Sequence, residues 1–121
     1  GKAVVCDRFL LANVVYQGHA GGLDVAALWQ VGQVATGGLK PDLTFLLDLP
    51  DQQAAARIDR PLDRMEQQGA AFRAALRSGY LAEAARQPEQ IIVIDAGRPI
   101  DDVQRDVRAA AGRVLPSCKV I

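Results

Sequence analysis

Three short runs of unbroken apolar character punctuate the chain: Ala3–Cys6, Leu43–Leu47 and Ile91–Ile94. None alternates with polar residues, so each reads as a strand covered on both faces, the habit of parallel sheets. Between them the apolar residues fall at helical spacing instead. One helix is expected from just after Arg8 to about Gln17, ending at the break Gly18-His19-Ala20-Gly21-Gly22. A second is expected over about Leu23–Ala35, with Val25, Leu28, Trp29 and Val31 on its packed face and Gly37-Gly38 as its stop. After the second strand the chain turns at Pro50-Asp51 into a helix through Ala54-Ala55-Ala56, interrupted by Pro61. A long helix from about Arg64 to Arg86 carries Phe72, Leu76, Tyr80 and Leu81 near i, i+4 spacing. The last helix, about Ile100–Val114, turns Val103, Val107 and Ala110 inward and has Asp101 and Asp102 in its first turn, where the helix dipole favours them. Strands alternating with helices give βαβ units and an α/β class.

The chemistry gathers where the strands should end. Asp7 and Arg8 follow the first apolar run directly, and the carboxyl ends of strands are where ligands bind in open α/β sheets. Asn13, Tyr16 and Gln17 then recur at three- and four-residue spacings, so one helix face can aim all three at a single ligand. Arg57, Arg60 and Arg64 surround Pro61, and the third apolar run ends in Asp95-Ala96-Gly97-Arg98. Taken as local features, these have plain structural readings too: a strand-end ion pair for Asp7 and Arg8, a core aromatic for Tyr16, a helix-surface amide for Asn13, and solvated charge for the arginines.

Asp7-Arg8-Phe9 followed by Tyr16-Gln17-Gly18 resembles the substrate motif of thymidylate kinases. The likeness continues through Pro41-Asp42-Leu43-Thr44-Phe45-Leu46-Leu47-Asp48, Leu62-Asp63-Arg64-Met65-Glu66 and Ile94-Asp95-Ala96, in the family's order and over nearly the whole chain. No G-x-x-x-x-G-K-[ST] phosphate loop occurs. The chain therefore looks like the C-terminal part of such an enzyme, a fragment. The resemblance implies part of the P-loop NTPase fold of nucleoside monophosphate kinases: three parallel strands with helices on both faces and the central P-loop strand missing. Within one domain, residues 1–48 would form the dTMP half, 49–70 the lid region, and 71–121 the C-terminal helices and adenine loop.

By that resemblance Arg8 grips the monophosphate and Asp7 organises Mg2+ through water. Asn13 and Gln17 meet the thymine ring, and Tyr16 packs on the deoxyribose. Arg57 lies against adenine, Arg60 and Arg64 belong to a lid that neutralises the transferring phosphates, and Ala96, Gly97 and Arg98 form the loop beside adenine. The reaction implied is ATP plus dTMP giving ADP plus dTDP, with ATP and Mg2+ required and a homodimer as the common assembly. Ala12 stands where many relatives have serine and Phe9 where tyrosine or histidine is commoner, departures of detail only.

The remaining composition narrows the alternatives. Half of the 121 residues are hydrophobic, 23% are charged, and fourteen basic residues balance fourteen acidic ones. That is an ordinary globular composition without the basic excess of a nucleic-acid binder. No apolar run approaches the ~18 residues of a membrane span. A disulfide between Cys6 and Cys118 stays open, but their separation in sequence and the expected strand around Cys6 favour a reduced, cytosolic protein. His19, the only histidine, falls in a glycine-rich loop and is expected to face solvent; one histidine and two distant cysteines make no zinc site. Trp29 and Phe72 are expected in the core. If the first two strands flank a missing central one, they do not pair with each other, and the chain by itself should be marginal or prone to aggregate. A non-catalytic nucleotide-binding module, a degenerate structural domain and a kinase for another monophosphate remain the alternatives.

Overall fold

The computed structural model describes residues 2–57, 59, 61 and 66–115. Arg60 and Arg64 of the expected lid, and Cys118, lie outside the described residues.

Helix α1 (Leu10–Asn13) runs without interruption into a π-helical segment, Val14–His19, and helix α2 (Val25–Ala35) follows after a short turn. Strand β1 (Thr44–Asp48) leads to α3 (Asp51–Ala56), then a 3-10 turn at Glu66–Gln68 and helix α4 (Ala70–Arg86). Strand β2 (Ile91–Asp95) and helix α5 (Ile100–Val114) complete the order. The long helix thus starts later than its apolar spacing suggests. Gly69, at φ +96°, turns the chain immediately before it.

The helix ends follow local chemistry. Asp24 caps α2, its Oδ1 accepting the Ala27 N–H at 2.8 Å. At the other end the Gly37 N–H donates to the Val34 carbonyl and the Gly38 N–H to the Gln33 carbonyl. That closes a Schellman motif, with Gly37 at φ +61° in the left-handed position that glycine suits. Pro50 and Pro99 stand just before the first residues of α3 and α5, whose opening turns are acidic at Asp51 and at Asp101 and Asp102.

Strands β1 and β2 pair in parallel, Thr44 opposite Ile91 through Asp48 opposite Asp95. Ile91 and Ile94, which point to opposite faces, are both buried, so each face of the sheet has some cover. The cover is incomplete: Leu47 is 54% exposed. Helix α4 packs on both strands and on the π-helical segment, while α5 packs on β2. The π-helical segment contributes Val14 and Val15, both fully buried, each worth ~1.5–3 kcal/mol relative to exposure.

The expectation of three strands is corrected to two among the described residues. Residues 3–6 join no ladder, and Val4 and Val5 are 89% and 96% exposed. An apolar run becomes a strand only when a neighbour takes its N–H and C=O groups, and no described strand lies beside this one. Cys6 is accordingly exposed rather than buried, its Sγ donating to the Arg8 carbonyl at 2.8 Å. On α2, Val31 is exposed, and the packed position next to it is Gly32. A methyl group on Gly32 would overlap the side chain of Leu10, so the missing side chain lets α1 lie directly on α2.

Candidate functional site

Asp7 and Arg8 are exposed in the turn that precedes α1. The Arg8 guanidinium carbon lies 6.0 Å from the centroid of the Tyr16 ring, a cation–π distance. Tyr16 meets Phe72 of α4 edge to face, with centroids 6.2 Å apart and ring planes at 69°. Tyr80, two turns further along α4, belongs to the same neighbourhood. Burial holds its hydroxyl above the ordinary tyrosine value, Tyr16 adds to the shift and Arg8 opposes it. Asn13 and Gln17 are exposed and Tyr16 is half-buried. One cation, one aromatic wall and two amides therefore come from a single stretch of about ten residues, backed by α4.

The helix expected to carry those amides is not regular. From Val14 to His19 its hydrogen bonds reach five residues back, as when the Ala20 N–H donates to the Val15 carbonyl at 3.0 Å. The wider turn sends Val14, Val15 and Gly18 inward. π-helical turns are rare and concentrate at functional sites. Nothing in residue spacing distinguishes such a turn from an α-helix.

A second cluster forms at the carboxyl ends of the two strands. Asp48 and Asp95 stand side by side, and the Ala96 N–H donates to the Asp48 carbonyl at 2.9 Å. Arg57, at the end of α3, donates from Nη2 to the Ala96 carbonyl at 3.1 Å, so Arg57 and the 96–98 turn are brought together. Asp95 Oδ1 accepts the Gly97 N–H at 2.8 Å, which fixes the turn. The Arg98 side chain turns away to Asp106 of α5, 2.5 Å from Nη2 to Oδ2. That pairing raises the Arg98 pKa above its ordinary value and lowers that of Asp106. The Ala96 N–H and carbonyl and the Gly97 N–H are thus all engaged within the protein, as is the Arg98 guanidinium.

Helix α4 joins the two clusters. Arg77 takes Asp48 in a fork, Nε to Oδ1 at 2.8 Å and Nη2 to Oδ2 at 2.9 Å, and Arg73 Nε reaches Asp51 at 2.8 Å. Sequence reasoning singled out neither arginine, because each partner lies more than twenty residues away. His19, expected in solvent, ends the π-helical segment and contacts the buried Glu83 at 2.8 Å. Trp29 reaches the same carboxylate at 3.0 Å.

Asp7 has no hydrogen-bond or ion-pair partner among the described residues, and no group of three or more potential metal ligands occurs among them. A single exposed carboxylate suits a Mg2+ ion held through water and by nucleotide phosphates, not a cage of protein ligands. No helix among the described residues is long and apolar enough to cross a membrane.

Residues 1–107 match the family model described as thymidylate kinase. Among curated proteins, the chain is 44% identical over 117 residues to a thymidylate kinase of Symbiobacterium thermophilum, covering 96% of this chain and 55% of that protein. It is 43% identical over 109 residues to one from Rhodopirellula baltica, with 90% of this chain and 44% of that protein covered. A Pseudomonas putida thymidylate kinase is 40% identical over 121 residues, with 98% and 58% covered. The chain spans about half the length of the curated relatives it matches. On the family match, whose span includes both clusters, and these identities, the chain belongs to the thymidylate kinase family.

Proposed function

We propose that the complete protein carrying this chain is an ATP-dependent thymidylate kinase, transferring the γ-phosphoryl group of ATP to dTMP to give ADP and dTDP. The observation that carries this reading is the Arg8 guanidinium over the Tyr16 ring at cation–π distance, with Phe72 against that ring, beside the exposed amides of Asn13 and Gln17. Phosphoryl transfer needs positioning and charge neutralisation more than covalent help from the protein. Arg8 supplies a planar, permanently charged fork for the monophosphate. Tyr16 offers its ring to the deoxyribose, and Asn13 and Gln17 can each donate and accept at the pyrimidine edge. On the donor side Arg57 lies against adenine, with the backbone of Ala96, Gly97 and Arg98 running beside the base. Arg60 and Arg64 act in the lid, neutralising the phosphates. Asp7 would hold Mg2+ through water, and the ion would supply further neutralisation of phosphate charge when bound.

The complete protein acts as a homodimer through α2, a reading supported by the exposed apolar row of Val31 and Val34 on that helix. It works in the cytoplasm, which the free Cys6 thiol suits. The test is ATP-dependent phosphorylation by the complete protein with dTMP, dUMP, CMP and AMP in competition. Preferential turnover of dTMP is expected. Binding of dTMP without turnover would mean a binding module, and preference for another monophosphate would overturn the substrate assignment.

A further inference from the structure

Glu83 of α4 is the buried ionisable side chain among the described residues, at 1% exposure. An unpaired carboxylate at such a position costs several kcal/mol, so its partners report what it is there to hold. Both oxygens are engaged, each by a different element. Oε1 accepts from His19 Nε2, the last residue of the π-helical segment, at 2.8 Å. Oε2 accepts from Trp29 Nε1 of α2 at 3.0 Å. Arg86, one turn on, keeps its guanidinium 3.6 Å from Oε1 at the solvent side.

The backbone is shaped for this contact. One turn earlier on α4, a methyl group on Gly79 would fall 2.5 Å from His19 Cβ and 2.7 Å from Cγ, so only glycine lets His19 come so close. Tyr16 lies three residues before His19 and rests on Phe72 of the same helix. The segment is therefore pinned to α4 at both ends of its exposed face. A π-helical turn has little stability of its own, and what fixes it must come from such tertiary contacts.

We propose that Glu83 is a positioning residue for the monophosphate site. By holding His19 and Trp29 on its two oxygens, it sets the depth and rotation of the π-helical segment, and with them the placement of Tyr16 and Gln17 relative to Arg8. The inference rests on reading that face as the monophosphate site. It also makes a claim about the segment itself, which can be measured without turnover.

The experiment compares Glu83→Leu, Glu83→Gln and Trp29→Phe in the complete protein. KM is measured for dTMP and for ATP, and amide hydrogen exchange is followed at residues 14–20 and in β2. Leucine removes both acceptors, and it is expected to raise KM for dTMP about tenfold with KM for ATP within about twofold. Exchange at residues 14–20 should quicken about tenfold while β2 is unchanged. Glutamine can accept from Trp29 and donate to the other tautomer of His19, so Glu83→Gln should stay within about threefold of wild type. Trp29→Phe loses one donor and keeps a smaller aromatic ring, and should shift both readouts the same way by about threefold, which keeps the test open if Glu83→Leu fails to fold. Equal effects on both KM values, exchange that quickens evenly into β2, a glutamine variant no better than leucine, or a silent Trp29→Phe would overturn the proposal. If wild type does not phosphorylate dTMP, the functional reading fails by itself, and the exchange pattern still decides whether Glu83 fixes the segment.

Discussion

Asp48 closes β1 opposite Asp95, where the 96–98 turn begins, and Arg77 takes both of its carboxylate oxygens. Hydrogen bonding to that guanidinium holds the Asp48 carboxyl below the ordinary aspartate value. Burial opposes the shift, while the charge of Arg77 and the Leu49 N–H reinforce it. With a folded pKa below the unfolded one, the unfolded chain binds the proton more readily as pH falls. The pair's contribution to stability is therefore fully present above about pH 4 and is lost as pH drops through the lower folded value. Unfolding of wild type and Arg77→Met between about pH 2.5 and pH 6 would read this directly. The gap between the two curves should be constant at the upper end and close below about pH 4. Parallel curves across the whole range would mean the fork does not couple to folding.

Among the elements, α1 runs on into the π-helical segment of the candidate site, and its packing on α2 turns on a glycine. Gly32→Ala should gain up to about 1 kcal/mol of helix propensity. Its methyl would overlap Leu10, and overpacking of that kind costs about 1–3 kcal/mol. The net expectation is a lower denaturant midpoint at unchanged slope; an unchanged or raised midpoint would show that Leu10 gives way freely. Elements with strong local signals were legible in the sequence. The last helix runs from Ile100 to Val114 as its periodicity indicated, β1 is its apolar run shifted by one residue, and β2 extends its run by one. Where the outcome depends on distant partners, the sequence misleads. Ala3–Cys6 has the composition of a strand and no strand beside it, and His19 looks like loop because its partner Glu83 is sixty-four residues away. The π-helical turn was hidden for another reason: a change from four- to five-residue hydrogen bonding leaves the residue pattern nearly the same. Within the candidate site, the polar residues were legible from the motifs, while Phe72, Tyr80 and Arg77 were not, since α4 reaches the site only through tertiary packing.

At the scale of the molecule, β1 pairs only with β2 among the described residues, leaving its other edge without a strand. Exposed Val4 and Val5, together with Leu47 on the sheet, add apolar surface near no described partner strand. Open edges and apolar surface invite pairing with other chains. Residues 1–121 by themselves are therefore expected to self-associate at micromolar concentration, seen by sedimentation, whereas a monodisperse, cooperatively unfolding species would contradict this.

The central claim, that the Arg8–Tyr16 face receives the monophosphate and the Arg57–Ala96 turn the donor base, is tested most directly by steady-state kinetics on the complete protein. Wild type, Arg8→Met and Arg57→Met are assayed with dTMP and ATP varied in turn. Losing a charge-assisted contact should raise KM for dTMP about tenfold or more in Arg8→Met with KM for ATP within about twofold, and the reverse in Arg57→Met. A wild-type protein that leaves dTMP unphosphorylated, or an Arg8→Met variant whose KM for dTMP is unchanged, would contradict it.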